Sequence, residues 1–400
     1  MSALIVVCTA CGGGPARPLQ VRLDAGPPAA AFVTPVHMSV TGLPPGGLVT
    51  VRARARDYKG RPWQSAAQFR ANASGDLNLA SAVPVSGSYH VADAAGLLWS
   101  LRPGFSSSRS TQFYIKYSGF SVTVQVLIDG RVRAGTTLRR QASAPSSTQT
   151  VAGDGFASTL FLPAHSRPGA PAVVVIGGSE GGEDTLTASA LASIGYPAMA
   201  LGYFDEPGLP QCLCDIPLEY FARAVGWLRT QPAVRGRPLI LYGVSRGGEG
   251  ALLIASYEPG LFSAVIASSP SDLINGAYGG PPGSAWTWKG KPLPTGTVIP
   301  VSQIRVPLLI GDGGEDAVWD SSASAAVIMS ELSAGHDPAP HVNLYYPDAG
   351  HAFLGTPPYF PYDGLGGLGN ALGGTQQANA LADEQSWAQM IEFIDNPGHR

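Results

Sequence analysis

Leu239-Ile240-Leu241-Tyr242-Gly243-Val244-Ser245-Arg246-Gly247-Gly248 is the stretch whose reading decides the fold. Its first four residues form an apolar run suited to a buried strand, and residues 249–257 beyond the glycines read as a helix. Between the two stands G-x-S-x-G, the nucleophile elbow. Its glycines permit a turn so sharp that the serine hydroxyl is presented at the C-terminal edge of a sheet. The helix that follows aims its N-terminal dipole and free N–H groups at that hydroxyl, which favours negative charge developing there. Ser245 is therefore the expected nucleophile.

The flanking sequence has the same grammar. Apolar runs at residues 172–176, 198–201 and 239–242 alternate with helix-length segments at 186–194, 218–228 and 251–257. Buried β-branched strands separated by helices predict a mostly parallel sheet with helices on both faces, an α/β-hydrolase fold over residues 141–400. Residues 141–150 read as a linker or a crossing strand. The glycine-rich tract 364–374 reads as an inserted flap.

A serine at its free pKa is a poor nucleophile, so an acid and a base are expected after it, in the order Ser, Asp/Glu, His. Residues 306–310 read as a buried strand, followed by Gly311-Asp312-Gly313-Gly314-Glu315-Asp316. Asp312, Glu315 and Asp316 compete for the acid, and spacing alone does not choose among them. The base is expected to be His351, in the loop after the last strand at 342–346. His336 and His341 precede that strand, at its other end. The oxyanion hole is expected from the N–H of Arg246 and from the glycine loop after residues 173–176, at Gly178 and Ser179. A phosphate loop also wants glycines after a strand, but this one has neither the Lys-Ser/Thr ending nor the G-x-G-x-x-G order, and no cofactor is expected. The Arg246 side chain is open to two readings, an anionic substrate group or an ion pair with Glu180 or Glu249.

Residues 21–140 read differently. Short alternating runs such as Val49-Thr50-Val51-Arg52-Ala53-Arg54-Ala55-Arg56, divided by turn signals, predict an all-β, immunoglobulin-like sandwich. Asp129-Gly130 is a hairpin turn of the kind that needs positive φ. No nucleophile with a plausible base lies here, so a structural role is expected, with the sandwich covering part of the active site.

Composition sets further bounds. Only 13% of the 400 residues are charged, whereas 51 Gly and 35 Pro would suggest disorder were it not for the 44% hydrophobic content, which supplies a core. A formal charge of −3 with no basic cluster excludes nucleic acid as a natural partner. No run reaches the length of a membrane-spanning helix. The start of the chain, an apolar run at residues 3–7 before Cys8-Thr9-Ala10-Cys11, looks like the end of a bacterial lipoprotein signal over residues 1–20. Cys11 is thus a candidate lipidation and membrane-anchoring residue, and a cell-envelope location is favoured over the cytoplasm. Cys212 and Cys214 read as a disulfide if the protein is exported and as two thiols if it is not; no metal site is expected around them.

Several longer stretches then carry a resemblance. Val40 to Gly46 (V-x-G-L-x-P-G), Val49 to Ala53, Trp63 to Phe69 and Gly96 to Ser100 in the first half join Gly177-Gly178-Ser179-Glu180-Gly181-Gly182, Leu201 to Phe204, Ile216 to Phe221 and Tyr242 to Gly247 in the second. Over nearly its full length the chain resembles the family of acyl-CoA thioester hydrolases and bile acid-CoA:amino acid N-acyltransferases. The family's D-x-x-W-x-S motif falls on Asp316 to Ser321, so the resemblance selects Asp316 as the acid, and its G-H motif selects His351. It implies hydrolysis of an acyl thioester, with an oxygen ester or transfer to an amine as alternatives. In this family amine-conjugating members tend to carry cysteine at the elbow, so Ser245 favours water as the acceptor.

Overall fold

The computed structural model describes residues 20–105, 113, 115, 118–141, 147–152, 155–335, 338–351, 353–360 and 372–398. The first half is built from two sheets. One has three short antiparallel strands, Arg22–Asp24, Ser39–Thr41 and Leu77–Asn78, in the order first, second, third. The other follows the path Ala29–Ala31, Arg131–Gln141, Phe120–Ile128, Leu48–Arg56, Pro62–Arg70, Ser86–Gly87, with Arg102–Pro103 on the edge of Pro62–Arg70. Alternation drives this. Val49, Val51, Ala53 and Ala55 point into the core with Trp63, Phe69, Val122 and Val124, while the interleaved arginines Arg54 and Arg56 face out. Asp129 and Gly130 adopt φ of 50° and 73°, as the hairpin turn between two of these strands requires.

Beside a small three-stranded sheet of Ile216–Pro217, Trp286–Trp288 and Lys291–Pro292, the second half is built around one of eight strands. Its strands are β1 Ser147–Ala152, β2 Ala157–Leu162, β3 Ala172–Ile176, β4 Ala198–Gly202, β5 Leu239–Val244, β6 Ala264–Ser268, β7 Leu308–Gly313 and β8 His341–Tyr346. They lie in the order β1-β2-β4-β3-β5-β6-β7-β8, with β2 antiparallel to both its neighbours, β1 and β4, and every other pair parallel. The stretch read as a linker or crossing strand thus ends in an edge strand, β1, paired with a strand that periodicity had not separated from its surroundings. Another difference is at β7, which runs to Gly313 and takes Asp312 into the sheet instead of leaving it in the loop.

Successive residues of the central strands serve opposite cores. Val174, Ile176, Leu241 and Ile310 pack with Ala224 of α2 (Glu219–Thr230), Leu252 of α3 (Arg246–Tyr257) and Ile328 of α4 (Ser321–Ala334). Val173, Val175, Ile240 and Leu309 pack with Leu191 of α1 (Thr185–Ser193) and Trp387 of α5 (Gln376–Asp395). A strand buried on both faces is why the sequence reads as unbroken apolar runs there. The sandwich rests on the C-terminal part of this half: Phe360 and Ala380 enter its core, the Phe32 and Phe360 rings lie 4.9 Å apart, and Gln376 Nε2 donates to the Trp99 carbonyl at 2.8 Å.

Sheet order positions the site. The chain leaves β3 toward β4 on one side and later returns to β5 on the other, so a crevice opens beyond the C-terminal ends of β3 and β5. The glycine loop and the elbow both lie at that crevice.

Candidate active site

Ser245 has φ 57° and ψ −119°, a conformation that strains a residue with a side chain and that the fold must enforce. It does so by close packing. A Cβ on Gly243 would lie 2.2 Å from the Gly247 carbonyl oxygen, and one on Gly247 would lie 2.3 Å from that of Gly177. Both positions therefore exclude any side chain, and the Ser245 N–H is tied to the Ser268 carbonyl at 2.9 Å. The serine is 8% exposed, at the start of α3, where the Arg246 N–H has no carbonyl within the helix to accept it.

Asp316 lies beyond β7 and His351 beyond β8, on the same edge of the sheet as Ser245. His351 Nδ1 is hydrogen-bonded to Asp316 Oδ2 at 2.7 Å. The other carboxyl oxygen accepts the N–H groups of Val318 at 2.9 Å and Trp319 at 3.3 Å. The Trp319 ring stands edge-on to the imidazole, 4.9 Å between centroids, and limits its rotation. His351 Nε2 is buried with no hydrogen-bond partner among the described residues, so Ser245 Oγ does not bond to it in this arrangement. Catalytic hydrogen bonds of this kind commonly tighten only with substrate bound.

The competing residues fall elsewhere. Asp312 sits inside β7 facing Ser322 and Asn343, and burial pushes its carboxyl upward. Glu315 is exposed on the loop. His341 begins β8, at the opposite end of the sheet from His351, and His336 lies outside the described residues, as do Cys11, the rest of residues 1–19 and most of the tract 364–374.

The oxyanion expectation meets a complication. The Gly178 N–H donates at 2.9 Å to Oε1 of Glu180, so in this state it is already engaged. Ser179, next to it, is half-buried. The Gly177 carbonyl behind the loop accepts the Tyr203 hydroxyl at 2.9 Å, a support no sequence motif signalled. Burial, with the Glu180 charge nearby, holds that phenol well above its usual range, so it stays a donor.

Of the two readings of the Arg246 side chain, the structure selects the ion pair with Glu249. Nη1 lies 3.3 Å from Glu249 Oε2, and Nη2 donates to the carbonyls of Asn275 at 3.3 Å and Gly276 at 3.0 Å. Glu249 also accepts Trp286 Nε1 at 2.8 Å, so Trp286 is packed into the core beneath the long loop that carries it. Trp288 is half-buried against Tyr257. Cys212 and Cys214 form a disulfide. Among the described residues no group of three or more His, Cys, Asp or Glu is placed to hold a metal ion, and no helix is long and apolar enough to cross a membrane.

Comparison with known proteins adds independent information. The acyl-CoA thioester hydrolase/BAAT N-terminal region matches residues 33–151, and the BAAT/acyl-CoA thioester hydrolase C-terminal family matches residues 216–278 and 289–397. The chain is 31% identical over 400 residues to acyl-coenzyme A thioesterase 2, mitochondrial, of Mus musculus, covering 90% of this chain and 85% of that one. It is 31% identical over 402 residues to acyl-coenzyme A thioesterase 1 of Homo sapiens, covering 90% and 92%. A solved α/β hydrolase from a Medee basin deep-sea metagenome library aligns with 17% identity and a TM-score of 0.43, covering 63% of this chain and 98% of that one. With identity at this level over nearly the whole length, and with this sheet, the chain belongs to the acyl-CoA thioester hydrolase and bile acid-CoA:amino acid N-acyltransferase family, as a thioesterase-like α/β-hydrolase enzyme.

Proposed function

We propose that the protein hydrolyses acyl-CoA to free acid and CoA through an acyl-enzyme on Ser245, with residues 141–400 as the catalytic domain and 21–140 as a sandwich domain docked on it. The observation that carries this reading is the strained Ser245 turn on the same sheet edge as the Asp316–His351 pair. Ser245 Oγ attacks the thioester carbonyl, and His351 Nε2 takes the hydroxyl proton and returns it to the departing thiol. Asp316 fixes the imidazole and stabilises its charged form. N–H groups of the loop Gly178–Ser179 and of Arg246 receive the oxyanion. Water, activated by the same histidine, then releases the acid. Transfer of the acyl group to an amine competes at this last step, and a serine ester is a poorer acyl donor to amines than a cysteine thioester.

A second reading, an exported carboxylesterase acting on oxygen esters, is favoured by the Cys212–Cys214 disulfide, because disulfides persist in oxidising compartments. Membrane anchoring through a lipidated Cys11 belongs to this reading. Mass analysis of products from matched acyl-CoA and oxygen-ester panels, with and without glycine or taurine and beside Ser245→Ala, separates the readings. Free acid from the CoA panel, lost in the variant, supports the thioesterase; turnover of oxygen esters alone supports the second reading, and acyl-glycine or acyl-taurine would identify a transferase.

A further inference from the structure

Glu180 occupies a place that the proposed chemistry needs. Its Oε1 accepts the Gly178 N–H at 2.9 Å, and a Cβ on Gly177 would lie 3.0 Å from the same oxygen. A Cβ on Gly178 would lie 2.8 Å from Glu180 Oε2 and 3.1 Å from the Ser245 Cβ, so the carboxyl group and the nucleophile flank one point in space. Neither glycine has a side chain, and that is what makes room for the carboxyl. An anionic oxygen on a loop N–H beside the serine is also what a tetrahedral intermediate presents to an oxyanion hole.

We propose that Glu180 is a built-in occupant of the oxyanion site, holding the Gly178 N–H in the free enzyme until the carbonyl oxygen of the acyl group displaces it. The inference rests on Ser245 being the nucleophile. Displacement is physically open to this residue: Glu180 is solvent-exposed and its side chain has three rotatable bonds. Once displaced it leaves behind the N–H that the developing oxyanion requires. Arg246 does not draw it away, because that guanidinium is committed to Glu249 and two carbonyls.

Electrostatics gives the occupancy a pH dependence. The titratable groups around Glu180 are Asp184 at the start of α1, His351 from the opposite loop, and the phenols Tyr203 and Tyr242. Burial of the Glu180 carboxyl against protein pushes it upward, with a further push from Asp184, while the Gly178 N–H, its own backbone N–H and His351 pull it down. Solvent exposure screens part of that push. The ionised form is the stronger acceptor, so occupancy weakens as pH falls and the carboxyl takes a proton.

The test is the second-order rate at which Ser245 is labelled by a fluorophosphonate, a probe that needs the oxyanion hole but no knowledge of the natural acyl group. Wild type, Glu180→Ala, Glu180→Gln and Ser245→Ala are compared in the full chain, with circular dichroism to establish that each is folded. Glu180→Ala is expected to label roughly tenfold faster than wild type, the factor associated with one charge-assisted hydrogen bond. Glu180→Gln, a neutral acceptor, is expected to fall between them. The ratio of Glu180→Ala to wild type should shrink as pH falls, because a protonated Glu180 holds the Gly178 N–H less strongly. Labelling of Glu180→Ala at or below the wild-type rate would overturn the proposal, since a bystander leaves the rate unchanged and a required carboxylate lowers it. Failure of every protein to label, wild type included, would instead remove Ser245 as nucleophile, and the proposal with it.

Discussion

Glu249, in the first turn of α3, accepts the indole N–H of Trp286 at 2.8 Å from 37 residues further along the chain. The same carboxylate accepts the Asn275 N–H at 2.9 Å and its side-chain amide at 3.0 Å, and pairs with Arg246. One buried side chain thus ties the elbow helix to the loop that passes over it. Glu249→Ala leaves a buried guanidinium without its partner and is expected to cost about 3–5 kcal/mol of stability in urea titration. Trp286→Phe keeps most of the ring packing and removes one donor, for a loss of about 1–3 kcal/mol. A shift below about 1 kcal/mol in Glu249→Ala would mean that the network does not hold the elbow.

Asp316→Asn preserves size but cannot hold His351 in the tautomer that leaves Nε2 free to accept a proton. Turnover is expected to fall by roughly 10³–10⁴-fold, as for the equivalent change in the serine-protease triad, with little change in the unfolding midpoint. Steady-state kinetics beside a melting curve checks both halves. A fall of less than tenfold would point to Asp312 or Glu315 as the acid.

Gly247→Ala places a Cβ 2.3 Å from the Gly177 carbonyl oxygen, backbone against backbone, where neither partner has a flexible end to move. Overpacking of this kind typically costs about 1–3 kcal/mol and sometimes more. The elbow and the glycine loop are expected to be forced apart, so activity should fall further than stability. Thermal denaturation with parallel turnover measurement gives the comparison, and full activity would show that the two loops need not touch.

Asp383 on α5 is 3% exposed, with one carboxyl oxygen lacking a hydrogen-bond partner among the described residues, and burial holds its carboxyl well above the usual range. Its folded form therefore keeps a proton that the unfolded chain releases. Such a group stabilises the fold below the unfolded carboxylate pKa, and that contribution is lost as pH rises toward the folded value. Asp383→Asn is expected to melt above wild type at pH 8, with the gap closing as pH approaches about 4. A gap that widened on acidification would reverse the sign and the assignment.

The site was legible where its geometry is local. The elbow needs a strand, two close-packed glycines and a helix within a dozen residues, and Gly243 and Gly247 stand at the positions where a Cβ would strike backbone. Asp316 was not separable from Asp312 and Glu315 by spacing; the D-x-x-W-x-S resemblance singled it out, and it is the one the structure pairs with His351. Glu180 drew attention only as a partner for Arg246, because nothing in G-G-S-E-G-G says that its side chain folds back onto the N–H two residues earlier.

By itself the sequence determined the alternation of strand and helix, the sharp turn at Ser245 and the two-sided burial of β3, β4, β5 and β7, since these follow from φ/ψ preferences and from which residues avoid water over short spans. The tertiary structure alone decided that β1 closes the sheet edge, that Arg246 belongs to Glu249, and that the Gly178 N–H is held by Glu180. The reason is physical: a hydrogen-bond donor donates to any suitably placed oxygen, and placement is set by how the sheet order brings loops together, which no local pattern encodes.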